Sequence, residues 1–239
     1  MIPSNRFDPV GLNLLQIFPL PNLPGVVNNL RLNQLTVQTQ DEWDGRLDHV
    51  FSEKDSMFAR YTYGKADLAV PQDFPVEQNG VLNPLAFVGS SQRLNHAPST
   101  QATPQEIHSF SRALVNQLAL GYTRWYLLVT NVDLGNYTSQ KLGLQGSNTS
   151  YEGSGLAVLN FSGYTGESNS NNIPEIVPQN TFQISDTLSY TRGTHSLKFG
   201  GSVEDNQFAF FQLTSPYGAL SYIGTFTNNP TSTAGTGNA

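Results

Sequence analysis

Four histidines, His49, His96, His108 and His195, are the side chains best suited to metal binding or acid–base chemistry in this sequence. Their spacing supports neither. Apart from the chance proximity of His96 and His108 they lie far apart, and no HExxH or comparable ligand pattern surrounds them. Structural or loop roles are expected of all four. Asp48-His49 has the makings of a catalytic pair, but adjacent residues of a strand point to opposite faces and cannot cooperate. No GxSxG elbow occurs, and Gly153-Ser154-Gly155 reads as a flexible loop. There is no phosphate-binding glycine loop, and the absence of cysteine removes disulfides and thiolate metal sites. Neither an enzyme nor a cofactor is expected.

The charged residues Arg46, Asp48, Arg60 and Lys198 are better candidates, because each falls on the polar side of an alternating segment. In residues 180–201, NTFQISDTLSYTRGTHSLKFGG, Phe182, Ile184, Leu188 and Tyr190 alternate with Gln183, Ser185, Thr187 and Ser189. Leu197, Phe199, Gly201 and Val203 continue the apolar set beyond a tight turn. This period of two predicts a β-hairpin with one oily and one wet face. A turn at Arg192-Gly193 would set Leu188 against Leu197, Ile184 against Gly201 and Thr187 against Lys198. Asp186 then falls on the oily face beside Phe199.

The same pattern precedes it twice. Trp43, Gly45, Leu47 and Phe51 share a face opposite Asp44, Arg46 and Asp48, and Met57, Ala59, Tyr61 and Tyr63 share a face on the next segment. A connection of about five residues would place Leu47 opposite Tyr61 and Asp48 opposite Arg60. Residues 115–128 form a further strand. Its partner, residues 102–110, carries Pro104, Glu106 and His108 in phase with Phe110, which calls for an interrupted oily face or a bulge. A last strand is expected at residues 219–226. Between the hairpins, residues 65–100 and 130–179 lack the period and read as long loops. A short helix is expected from about Pro9 to Ile17, stopped by the prolines that follow.

Only 13% of residues are charged, aromatics reach 11% and the net charge is −6. With no basic cluster, nucleic acid is excluded as a partner. Aromatic, hydroxyl and charged residues recur in that order at the reversals, in Phe51-Ser52-Glu53, Phe110-Ser111-Arg112 and Tyr190-Thr191-Arg192. Short turns at one end and connections of roughly 30–50 residues at the other are foreign to a compact soluble sandwich. An antiparallel up-and-down transmembrane β-barrel predicts both, with apolar side chains toward lipid and long extracellular loops. An extracellular β-sandwich-like binding or adhesion module is the alternative.

Residues 41–65 (DEWDGRLDHVFSEKDSMFARYTYGK), 114–124 (LVNQLALGYTR) and 180–201 resemble the TonB-dependent outer-membrane receptors, in particular the Oar-like branch with a carboxypeptidase-regulatory-like domain. Asn5-Arg6-Phe7-Asp8-Pro9, Phe18-Pro19-Leu20-Pro21-Asn22 and His195-Ser196-Leu197-Lys198-Phe199-Gly200 extend the likeness over nearly the whole chain. The resemblance implies energised uptake of a small solute, glycan or peptide across the bacterial outer membrane, driven by the TonB complex through a plug and TonB box. Nothing here matches those two parts. The expected organisation is a connector with a short helix (1–40), a partial barrel of about seven strands (41–227) and a loop or tail (228–239), an internal piece of a longer receptor. Arg46, Asp48, Arg60 and Lys198 would line the lumen, pairing across strands and touching the plug or the solute.

Overall fold

The computed structural model describes residues 4–33, 35–70, 77–78, 81–82, 93–164, 166 and 172–223. A 3-10 turn at Ser4–Arg6 and the helix α1 (Pro9–Ile17) come first. Strands β1 (Val37–Val50) and β2 (Asp55–Val70) make the first hairpin, followed by an isolated pair, β3 (Glu77–Gln78) and β4 (Val81–Leu82). The second hairpin is β5 (Arg93–Ser111) and β6 (Leu114–Thr130). A short helix α2 (Thr138–Lys141) and β7 (Val158–Phe161) lead to the third, β8 (Glu175–Arg192) and β9 (His195–Phe208). Strands β10 (Phe211–Gln212) and β11 (Ala219–Tyr222) follow.

The three hairpins join side by side into an antiparallel sheet in the order β1-β2-β5-β6-β8, with β9 on the far side of β8. The seventh strand of that sheet is β10, which resumes the line of β9: Phe211 stands opposite Ile176 in the register that pairs Phe208 with Gln179. Residues 219–222 were expected to continue the barrel and do not. They pair parallel with β7 outside the sheet, while the rest of the expected strand and the 228–239 tail lie outside the described residues. The 65–100 and 130–179 loops are shorter than the aperiodic stretches implied. Strands run to Val70 and Thr130 and restart at Arg93 and Glu175, because interstrand hydrogen bonds continue where the side-chain alternation fades.

Registers differ from expectation by two residues, which preserves the faces and changes the neighbours. In the first hairpin Leu47 faces Ala59 and Asp48 faces Phe58. The reversal is tighter than a five-residue loop, since Phe51 N–H already donates to Asp55 C=O at 2.9 Å, and Ser52 Oγ accepts from Lys54 and Asp55 N–H. The third hairpin turns on Gly193-Thr194, so Leu188 faces Phe199, Ile184 faces Val203 and Thr187 faces Gly200. Gly193 takes φ +60°, which the first position of a type II′ turn demands and a side chain resists.

Strand β5 accommodates its prolines and charges locally. Glu106 and His108 interrupt the oily face opposite Met57 and Asp55, and the ladder with β6 also bulges between Ser109 and Ser111. Pro98 and Pro104 pair with β2 throughout, whereas the β6 ladder skips both. A proline has no N–H to give, so each is tolerated where its nitrogen faces a gap in the β6 ladder.

Among the described residues the apolar face covers nothing. Trp43 and Leu47 are each 72% exposed, Val203 68% and Phe199 61%, so no described segment packs on the sheet as a sandwich partner. On this face no Asp, Glu, Lys, Arg or His falls between Asp55 and Lys65 on β2, His96 and Glu106 on β5, or His195 and Asp205 on β9, whereas Arg124 on β6 and Asp186 on β8 interrupt it. Roughly ten residues at about 3.3 Å each, tilted by about 40°, rise about 25 Å, the height of a hydrocarbon band. Asp205 shares a ladder row with Phe182, Tyr122 and Ala102, so the uncharged stretch lies nearer the turns on β9 than on β5. A boundary crossing tilted strands must run obliquely to the rows in this way.

Candidate functional site

The polar face brings three of the four candidate residues together. Arg46 donates from Nε and Nη2 to Asp48 Oδ2 and Oδ1 at 2.8 and 2.7 Å, a two-pronged pair along one strand. The guanidinium also lies 4.0 Å from the centre of the Phe58 ring. Arg60 donates to Asp44 at 2.8 Å, and Thr62 Oγ1 donates to the same carboxylate oxygen at 2.7 Å. The expected Asp48–Arg60 pair does not form. The register sets Arg46 opposite Arg60, two like charges that repel, and each guanidinium is held by a different aspartate. Lys198 stands opposite Ser189 on β9, at the other side of the sheet, and takes no part in the cluster. Asp44 and Thr62 complete the group. Their positions on the wet phase of the alternation were the signal for them. The cluster offers fixed charge and hydrogen bonds along a wet wall.

On the apolar face of β2 and β5, charged side chains gather at the two rims, while Asp186 on β8 falls between Ile184 and Leu188. Near the turns Asp55 pairs with His108, with Glu106 close by, and at the far rim Asp67 accepts from Lys65 at 2.7 Å and meets His96 Nδ1 at 2.6 Å. His96 and His108, expected in structural or loop positions, are strand residues matched with aspartates across the ladder. Such partners leave no mark in sequence spacing. His49 packs its ring on Phe51 at 4.4 Å, on the opposite face from Asp48. Asp186 faces Gly201 and Leu118 instead of Phe199, and the amide of Asn116 donates to it.

The long-loop end carries a folded cap. Asp8 Oδ1 accepts from Val10 and Gly11 N–H, and Pro9 takes a first-turn position where its missing N–H is harmless. The helix so started packs Leu14 against Leu142, Leu144, Leu156, Ala157 and Leu159, with Val10, Phe18 and Phe161 at the margin. Asp133 is buried and accepts from Thr138 Oγ1 and Leu156 N–H. Tyr217, also buried, donates to Ile173 C=O at 2.8 Å. Burial first, and then the nearby Asp133 charge, push its ionisation well above the ordinary tyrosine range. Ser154, expected in a flexible loop, is fully buried: its hydroxyl accepts from Gly135 N–H at 2.6 Å and donates to Tyr151 C=O. A side chain at Gly153 would strike Pro216 C=O at 2.7 Å, so this turn is packed. Between α1, the loop after it and the end of β7 lies a cleft of about 790 Å³, lined by Leu15, Phe18, Pro21, Val27, Phe161 and Tyr164.

The family model described as Outer membrane beta barrel domain matches residues 1–239. The chain belongs to the outer membrane β-barrel domain family. No curated protein and no solved structure matches it. The barrel domain resides in the bacterial outer membrane. In outer-membrane barrels the strands turn their apolar side chains to lipid and alternate polar ones to the lumen. In such barrels short turns are generally periplasmic and long loops extracellular.

Proposed function

We propose that this barrel domain forms part of the wall of a TonB-dependent receptor of the Oar-like branch, which takes up a solute with energy delivered by TonB. The observation that carries the reading is the cap: residues 9–17 and 131–164 fold into one cored unit with an apolar and aromatic cleft on the extracellular side. Loops kept only to join strands need no core, whereas solute capture needs a shaped and rigid surface. The sequence resemblance supplies the energy source. The Arg46, Asp48, Asp44 and Arg60 cluster then serves the plug or the passing solute as a hydrogen-bonding wall, Lys198 adds a separate charge, and lipid covers the opposite face. The protein is a transporter component with no chemistry of its own, and it has no nucleic-acid partner.

Uptake by intact cells tests this. Culture medium depleted by wild-type cells is compared with medium from cells lacking the complete receptor and from cells lacking TonB. The same compounds should persist in both mutants. Compounds that persist only when the receptor is missing, and vanish normally without TonB, would overturn the energised mechanism.

A further inference from the structure

We propose that Asp55, Glu106 and His108 form a binding site for a divalent transition-metal ion, best suited to Zn²⁺, on the lipid-side rim at the short-turn end. Asp55 and His108 are direct cross-strand partners on β2 and β5, and Glu106 is the next residue of β5 on the same face. One ligand atom from each lies within 4.8 Å of the others. An imidazole with two carboxylates is a nitrogen and oxygen set that Zn²⁺ takes at about 2.0–2.2 Å, leaving room for water. Ca²⁺ and Mg²⁺ prefer oxygen alone.

The surroundings orient the donors. Ser52 Oγ donates to Asp55 Oδ2 at 2.9 Å, which leaves Oδ1 directed at His108 Nδ1. The His108 ring stands edge-on to Phe110 at 4.4 Å. Charge gives an independent reason for a cation. Among the described residues no Lys or Arg makes an ion pair with Asp55 or Glu106, so two carboxylates share one imidazole at the edge of the hydrocarbon. The matching cluster at the far rim of the same two strands differs in this respect. There Asp67 meets His96 but also pairs directly with Lys65, whereas at the near rim the Lys54 charge acts on Asp55 without a direct ion pair. A bound ion would clip the first hairpin to the second beside the Ser52–Lys54 turn, within reach of water.

Outer membranes containing the protein, extracted in mild detergent, provide the material for the test. Heat-modifiable migration confirms folding of each variant. Zn²⁺ binding is measured by calorimetry, and Co²⁺ absorption reports the ligand set. The loss of an outer-shell partner alone lowers metal affinity 10–100-fold, so Glu106→Gln and His108→Gln should each weaken Zn²⁺ binding by at least about tenfold. His96→Gln should leave it unchanged, and Ca²⁺ should not compete. Equal Zn²⁺ binding by folded wild type and His108→Gln would overturn the site, as would an equal loss in His96→Gln or displacement of Zn²⁺ by equimolar Ca²⁺.

Discussion

Leu120 and Gln117 lie on the same strand, β6, and on opposite faces of the wall: Leu120 stands opposite Ile184, and Gln117 shares its row with Ile107 and Thr187. Lipid has no way to solvate a guanidinium, whereas the lumen does. Leu120→Arg should therefore cost about 2–4 kcal/mol of unfolding free energy in vesicles, and Gln117→Arg about 0.5 kcal/mol or less, measured by guanidinium titration. Equal costs would contradict the facing. Tyr217 carries a pH effect of definite sign. Its proton is held more tightly in the folded cap than in the unfolded chain, where the value is near 10.0. The resulting stabilisation is complete below that pH and drains away as pH rises toward the higher folded value. Tyr217→Phe should cost about 0.5–1.5 kcal/mol at neutral pH through the lost bond to Ile173, yet lose less stability than wild type above about pH 10. Guanidinium midpoints followed across that range would show it. The paired positions of His96 and His108 were not legible, because a ladder partner can lie any distance away in sequence.

Among the elements, α1 was the most legible: Asp8 and Pro9 mark its start, and the apolar run closed by Pro19 marks its end. That it packs on a segment more than a hundred residues later was not legible, since the periodicity of a helix says which face is oily but not what covers it. Leu14 is 5% exposed within that contact. Leu14→Ala should destabilise the cap by about 2–5 kcal/mol through lost burial and the cavity left behind. Hydrogen exchange should speed up in α2 and β7 while β2, β5 and β6 keep their protection. Uniform loss across the hairpins would instead mean that cap and sheet unfold as one unit. The hairpins show the opposite balance of legibility. Their faces followed from the alternation of two, but the register depended on turn chemistry at Ser52 and Gly193 that shifts partners by two residues without moving any side chain to the other face.

At the scale of the whole molecule, orientation in the membrane follows from the asymmetry of its ends. Val26 is 94% exposed in the cap, and Glu53 lies in the first turn. A cysteine at position 26 should react with a membrane-impermeant maleimide on intact cells, and one at position 53 only after the outer membrane is opened. The reverse labelling would invert the assignment. The strands, at 14–19 residues, are longer than the roughly ten residues a bilayer requires, so they carry the cap clear of the lipid.

The alternation of apolar and polar residues determined by itself that the chain forms amphipathic antiparallel strands, and which side of each strand Arg46, Asp48, Arg60 and Lys198 occupy. A pleated strand turns every second side chain the same way, so facing is a local property. Tertiary structure decided which of those residues meet. It separated Lys198 from the other three, replaced the Asp48–Arg60 pair with Arg46–Asp48 and Arg60–Asp44, joined Asp55 to Glu106 and His108, and turned residues 219–222 from a wall strand into part of the cap. Contacts of that kind depend on register and on packing between distant segments. Both are fixed by turns, bulges and shared cores that no single stretch of the chain contains.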